Sequence, residues 1–126
     1  MTAKVLVVED NPANMKLATL LLQRSGYQVL QATDARTAIT CAHESQPDMI
    51  LMDVQLPGMD GLEATRLLKA DAVTRDLTVI ALTAFAMKGD EERILAAGCD
   101  GYIAKPIDYK AFLAEVSRLL AERSRL

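Results

Sequence analysis

The sequence predicts an α/β fold: a five-stranded parallel sheet in the order 2-1-3-4-5 with five helices, a flavodoxin-like doubly wound arrangement. Three observations predict it. Short apolar runs alternate five times with segments whose apolar residues recur at helical spacing. The third and fourth runs, ending at Asp53 and Thr83, are nearly continuous in Val, Ile, Leu and Met, as strands buried on both faces are. The 126 residues suit one domain, 1–126, with a single core and no second or output domain.

Lys4–Val8 is the first expected strand, and it ends in Glu9-Asp10. Asn11 caps the first helix and Pro12 occupies its first turn. Met15, Ala18, Leu21 and Leu22 share a face of that helix, and Gly26 stops it. Tyr27–Ala32 is the second strand. Asp34 caps the second helix, in which Ala35, Ala38, Ile39 and Ala42 face the core. Pro47 punctuates, and the third strand runs to Asp53 before a Pro57-Gly58 turn. Asp60 caps the third helix, with Leu62, Leu67 and Leu68 inward. Leu77–Thr83 is the fourth strand. A loop or loosely held helix start, Ala84–Asp90, leads to a short helix with Ile94, Leu95 and Ala97 inward, stopped by Gly98. Gly101–Lys105 is the fifth strand, broken by Pro106. Asp108 caps the last helix, whose inward stripe is Tyr109, Phe112, Leu113, Val116, Leu119 and Leu120. The last residues, 122–126, are expected to fray.

Composition narrows the function. The net charge is -3, so there is no electrostatic footprint for nucleic acid. No apolar run approaches the roughly 18 residues of a membrane span, and no leader peptide is visible. Cys41 and Cys99 lack metal-ligand spacing, with His43 the one histidine, and read as core thiols of a reduced, cytoplasmic chain.

In the predicted order, strands 1, 3, 4 and 5 are neighbours. Their carboxyl ends carry Glu9 and Asp10, Asp53, Thr83, and Lys105. Singly, each has an ordinary explanation as a turn former, a strand residue or a solvated charge. Jointly they converge on the sheet edge where open α/β folds bind ligands. Three close carboxylates repel and call for a cation. Oxygen ligands suit Mg²⁺, held by Glu9, Asp10 and Asp53, with the backbone carbonyl of Gln55 as a further ligand. Lys105 and Thr83 would contact phosphoryl oxygens, and Asp53 would be the nucleophile toward phosphorus.

Four motifs carry a resemblance that spans the chain: Val7-Val8-Glu9-Asp10-Asn11, the run from Leu51 to Gly61, Ala81-Leu82-Thr83-Ala84, and Gly101 to Pro106. In order and spacing they resemble the receiver domains of two-component response regulators. Residues 14–17 and 83–94 are further similar to single-domain cell-division regulators of alphaproteobacteria. The resemblance implies that Asp53 takes a phosphoryl group from a histidine kinase or histidine phosphotransferase. It implies Mg²⁺ on Glu9 and Asp10, phosphoryl contacts from Thr83 and Lys105, and a cis Lys105–Pro106 peptide. It implies a switch in which Thr83 moves toward the phosphoryl group and Tyr102 turns inward behind it, with 85–90 the mobile part. The donor would dock near Asn14, Met15, Ala18, Pro106 and Ile107. A downstream protein would read helix 4, strand 5 and helix 5, with Arg93, Tyr102 and Lys110 as contacts. Gln55 and Phe85, two residues past Asp53 and Thr83, would tune the lifetime of the acyl phosphate.

Other readings stay open at this point. The chain could be a receiver cut from a hybrid histidine kinase. An Asp-nucleophile phosphatase or dehalogenase would want a second Asp where Gln55 stands. A flavin carrier of this topology would want a phosphate loop in place of the acidic Glu9-Asp10 turn.

Overall fold

The computed structural model describes residues 2–84 and 88–124. Its elements are β1 (Lys4–Val8), α1 (Pro12–Arg24), β2 (Gln28–Ala32), α2 (Ala35–Ser45), β3 (Met49–Asp53), α3 (Gly61–Ala70), β4 (Thr78–Thr83), α4 (Lys88–Ala96), β5 (Gly101–Ala104) and α5 (Tyr109–Ser124). All four strand pairings are parallel and the order is β2-β1-β3-β4-β5, as the alternation predicts. β3 and β4 are buried along their whole length, which explains why their sequences are apolar without alternation.

The sheet separates two aliphatic cores. Leu6, Val8, Ile50, Met52, Val79 and Ala81 face α2, α3 and α4. Val5, Val7, Met49, Leu51, Ile80, Leu82 and Ile103 face α1 and α5, with Phe112 and Val116 completing that layer. Period-two alternation within each strand assigns successive residues to opposite layers. Small side chains let α2 lie close to the sheet: Ala35, Ala38 and Ala42 are its buried residues.

The expected caps form. Asn11 accepts from the amides of Ala13 and Asn14, Asp34 from Thr37, and Asp60 from Glu63. Three leucine and tyrosine assignments are corrected. Leu67, Leu95 and Tyr109 are 48%, 56% and 55% exposed rather than inward. Leu67 and Leu95 each adjoin a residue that does point in, Leu68 and Ile94, and a step of one residue turns a helix by about 100°. On α3 the inward face is completed by Ala64 and Thr65 instead. Tyr109 is the first residue of α5, and Lys110 Nζ lies 5.9 Å from its ring centre. Strand ends shift by one residue: Tyr27, Leu77 and Lys105 lie just outside β2, β4 and β5. Tyr27 instead donates its amide to Leu22, closing the end of α1. α5 continues through residues 122–124, where fraying was expected, while residues 125 and 126 lie outside the described residues. Cys99 is buried, and burial pushes its thiol up to about 11; Cys41 is half-buried.

Candidate functional site

Strand register brings the polar residues together. β1 ends at Val8, and the next residue, Glu9, extends the ladder by donating its amide to Ala32. β3 ends in Asp53, which pairs in register with Leu82, one residue before Thr83. Thr83 in turn pairs with Ala104 and accepts the Lys105 amide at 2.8 Å. The carboxyl ends of β1, β3, β4 and β5 thus place Glu9, Asp53, Thr83 and Lys105 along one edge.

Glycine sets how closely the next helix approaches. A Cβ on Gly61 would lie 2.0 Å from the Asp53 carbonyl oxygen and 2.9 Å from Met52 Cγ. The Gly61 amide also donates to the Val54 carbonyl. No other residue fits where α3 starts against the end of β3. Gly58 supplies the turn between them, with φ 79°.

Lys105 Nζ stands 2.7 Å from Glu9 Oε1 and 3.1 Å from Asp53 Oδ2. Asp53 Oδ1 accepts from the Gln55 amide at 3.0 Å, and Glu9 Oε2 accepts from the Asn11 amide at 3.3 Å. Glu9 and Asp53 are 1% and 3% exposed. One ammonium cannot balance two such carboxylates. Burial, and then the Glu9 carboxylate, push the Asp53 carboxyl up to about 7. Burial acts the same way on Glu9, but hydrogen bonding to Asp53 and Lys105 outweighs it and holds Glu9 below its usual range. Burial works against the Lys105 charge, and the two carboxylates reverse this, raising its pKa.

The exposed Asp10 completes an acidic cluster. One carboxylate oxygen from each of Glu9, Asp10 and Asp53 lies within 4.8 Å of the others. Three converging carboxylates, with the single Lys105 ammonium 2.7 Å from Glu9 Oε1, are the donor set of a hard divalent cation. The residues present therefore fit Mg²⁺.

The other expected residues divide. The Lys105–Pro106 peptide is cis. Tyr102 is half-buried on β5, packed against the α2–α4 core, and its hydroxyl donates to the Glu91 carboxylate on α4. Asn14 and Ile107 are half-buried, while Pro106 and Lys110 are exposed. Met15 and Ala18 are 8% and 1% exposed, so as docking residues they are corrected: their helical spacing marks the buried face of α1. Met15 still reaches one wall of a groove of about 460 Å³ that opens onto Glu9 and Asp10 and is also lined by Pro12, Lys16 and Leu20. Arg93 is exposed and pairs with Asp90 at 3.2 Å. Phe85 lies outside the described residues, as does part of the segment 85–90. Sequence reasoning missed Glu91. It stands eleven residues before Tyr102, and no local spacing links the two. It missed the packing role of Gly61 too, since a forbidden Cβ is visible only once α3 meets β3.

Comparison with known proteins agrees with this geometry. Residues 5–117 match the response regulator receiver domain family. The chain is 48% identical over 122 residues to the polar-differentiation response regulator DivK of Brucella ovis, covering 97% of this chain and 99% of that protein. The receiver domain of sensor histidine kinase PA1611 from Pseudomonas aeruginosa, solved with a magnesium ion coordinated in its active site cleft, superposes with a TM-score of 0.83. It shares 39% identity and covers 97% of each chain. A response regulator from Chloroflexus aurantiacus superposes with a TM-score of 0.92 at 27% identity, over 96% of this chain and 99% of that one.

Proposed function

This chain belongs to the response regulator receiver domain family, and from that premise we propose that Asp53 is its phosphoacceptor. The observation that carries the reading is the buried Asp53 carboxylate beside Glu9, Asp10 and Lys105 at a sheet edge. Glu9, Asp10 and Asp53 would hold Mg²⁺, with the Gln55 carbonyl as a further ligand. When bound, Mg²⁺ supplies the positive charge that offsets the phosphoryl oxygens against these carboxylates.

The donor is a histidine kinase or histidine phosphotransferase carrying a phosphohistidine. An Asp53 carboxylate oxygen attacks phosphorus, the P–N bond breaks, and its electron pair returns to the imidazole nitrogen. Lys105 lies within 3.1 Å of the attacking carboxylate and offers an ammonium to one phosphoryl oxygen. Thr83 at the end of β4 offers a hydroxyl to another. The groove along α1 that opens onto Glu9 and Asp10 gives the donor an apolar surface next to the reacting group; Asn14, Pro106 and Ile107 are further docking residues outside its lining. Beyond its own phosphorylation and slow dephosphorylation the domain turns nothing over. We read it as a cytoplasmic relay or adaptor that signals through protein contacts on α4, β5 and α5 and binds neither nucleic acid nor membrane. Among the described residues, no helix is long and apolar enough to cross a membrane.

Incubation with acetyl phosphate and Mg²⁺, followed by intact mass, tests the reading. The expected result is a gain of one phosphoryl group by the wild type and none by Asp53→Asn. A wild type without the gain, or a mutant with it, refutes the proposal.

A further inference from the structure

Tyr102 is held by a residue outside the phosphoryl site. Its hydroxyl donates to the Glu91 carboxylate, and this bond, with burial second, raises the tyrosine pKa. Tyr102 pairs in register with Ala81, two residues before Thr83 on the neighbouring strand, and its ring packs on the same core as Ile94 of α4. Glu91 lies in the first turn of α4, the helix that follows Thr83 in the chain. Its neighbours Asp90 and Arg93 pair with each other within the helix. Glu91 instead ties the start of α4 to the middle of β5.

We propose that Glu91 is a positioning residue that latches Tyr102 in the unphosphorylated state. The inference rests on the phosphoacceptor reading above and on the inward turn of Tyr102 on phosphorylation that the receiver resemblance implies. That movement requires the phenol to leave the Glu91 carboxylate. A contact made in one state and lost in the other biases the equilibrium by its own net strength. Glu91 therefore opposes activation, and by linkage any partner that engages its carboxylate with a cationic side chain favours phosphorylation.

Beryllofluoride with Mg²⁺, a phosphoryl mimic, is titrated into wild type, Glu91→Ala, Tyr102→Phe and the double variant, with binding followed by NMR. Glu91→Ala should bind the mimic roughly threefold to tenfold more tightly than wild type, the range a net side-chain hydrogen bond supports. The gain should vanish in the Tyr102→Phe background, where no hydroxyl remains to latch, and Mg²⁺ affinity alone should not change. An unchanged or weakened affinity in a folded Glu91→Ala protein, or the same gain without the hydroxyl, overturns the latch and leaves the phosphoacceptor standing. A wild type that binds no beryllofluoride overturns both.

Discussion

At the residue scale the protein turns on the charge state of Asp53. Without metal its carboxyl is raised from 3.8 to about 7 by burial and by Glu9. The folded state then keeps a proton that the unfolded chain releases near pH 4. A raised carboxyl pKa contributes stability that is complete below the unfolded value and is lost as pH rises through the folded one. The melting temperature of chelator-treated protein should therefore fall between about pH 4 and pH 7 and level off above. Glu9 acts with the opposite sign, but its lowered pKa confines its effect below its ordinary 4.5. Asp53→Asn should flatten the fall and stabilise the metal-free protein near pH 8 by on the order of 1 kcal/mol, read by thermal melts. Mg²⁺ requires the ionised carboxylate, so its affinity should rise about tenfold per pH unit below 7 and level off above, as titration calorimetry would report.

At the element scale, the start of α3 is fitted to the end of β3. Gly61→Ala should push the two apart, costing about 1–3 kcal/mol and reducing phosphoryl uptake from acetyl phosphate. Gly89 is the control, since a Cβ there meets nothing within 4 Å and the residue lies inside α4. Gly89→Ala should be neutral or stabilising by up to about 1 kcal/mol in denaturant melts. These elements also show what the sequence made legible. The continuous apolar runs of β3 and β4, the three caps at Asn11, Asp34 and Asp60, and the acidic and basic strand ends all follow from local rules, so strand order and site composition could be read. Leu67, Leu95 and Tyr109 could not be placed, because an apolar residue at the margin of a helical stripe is assigned by how the helix is rolled on the sheet. The Glu91–Tyr102 bond and the Gly61 contact escaped for the same reason: both are tertiary, and neither has a periodicity.

At the scale of the whole molecule, chemistry and readout occupy different surfaces. The acids sit at the carboxyl edge of the sheet, whereas Leu95 on α4 and Tyr109 on α5 expose apolar surface on the proposed output face. Leu95→Arg should leave fold stability and acetyl phosphate uptake within error of wild type while abolishing signalling in cells. Loss of uptake together with signalling would mean that the two surfaces are not separable. The central claim, that the covalent state of Asp53 is the signal, is tested most directly by locating the modification. Borohydride reduces an aspartyl phosphate to homoserine, so protein phosphorylated with Mg²⁺ can be reduced, digested and mapped by peptide mass. The account predicts homoserine at position 53 alone. Homoserine at position 10, or at no position despite phosphoryl uptake, would contradict it.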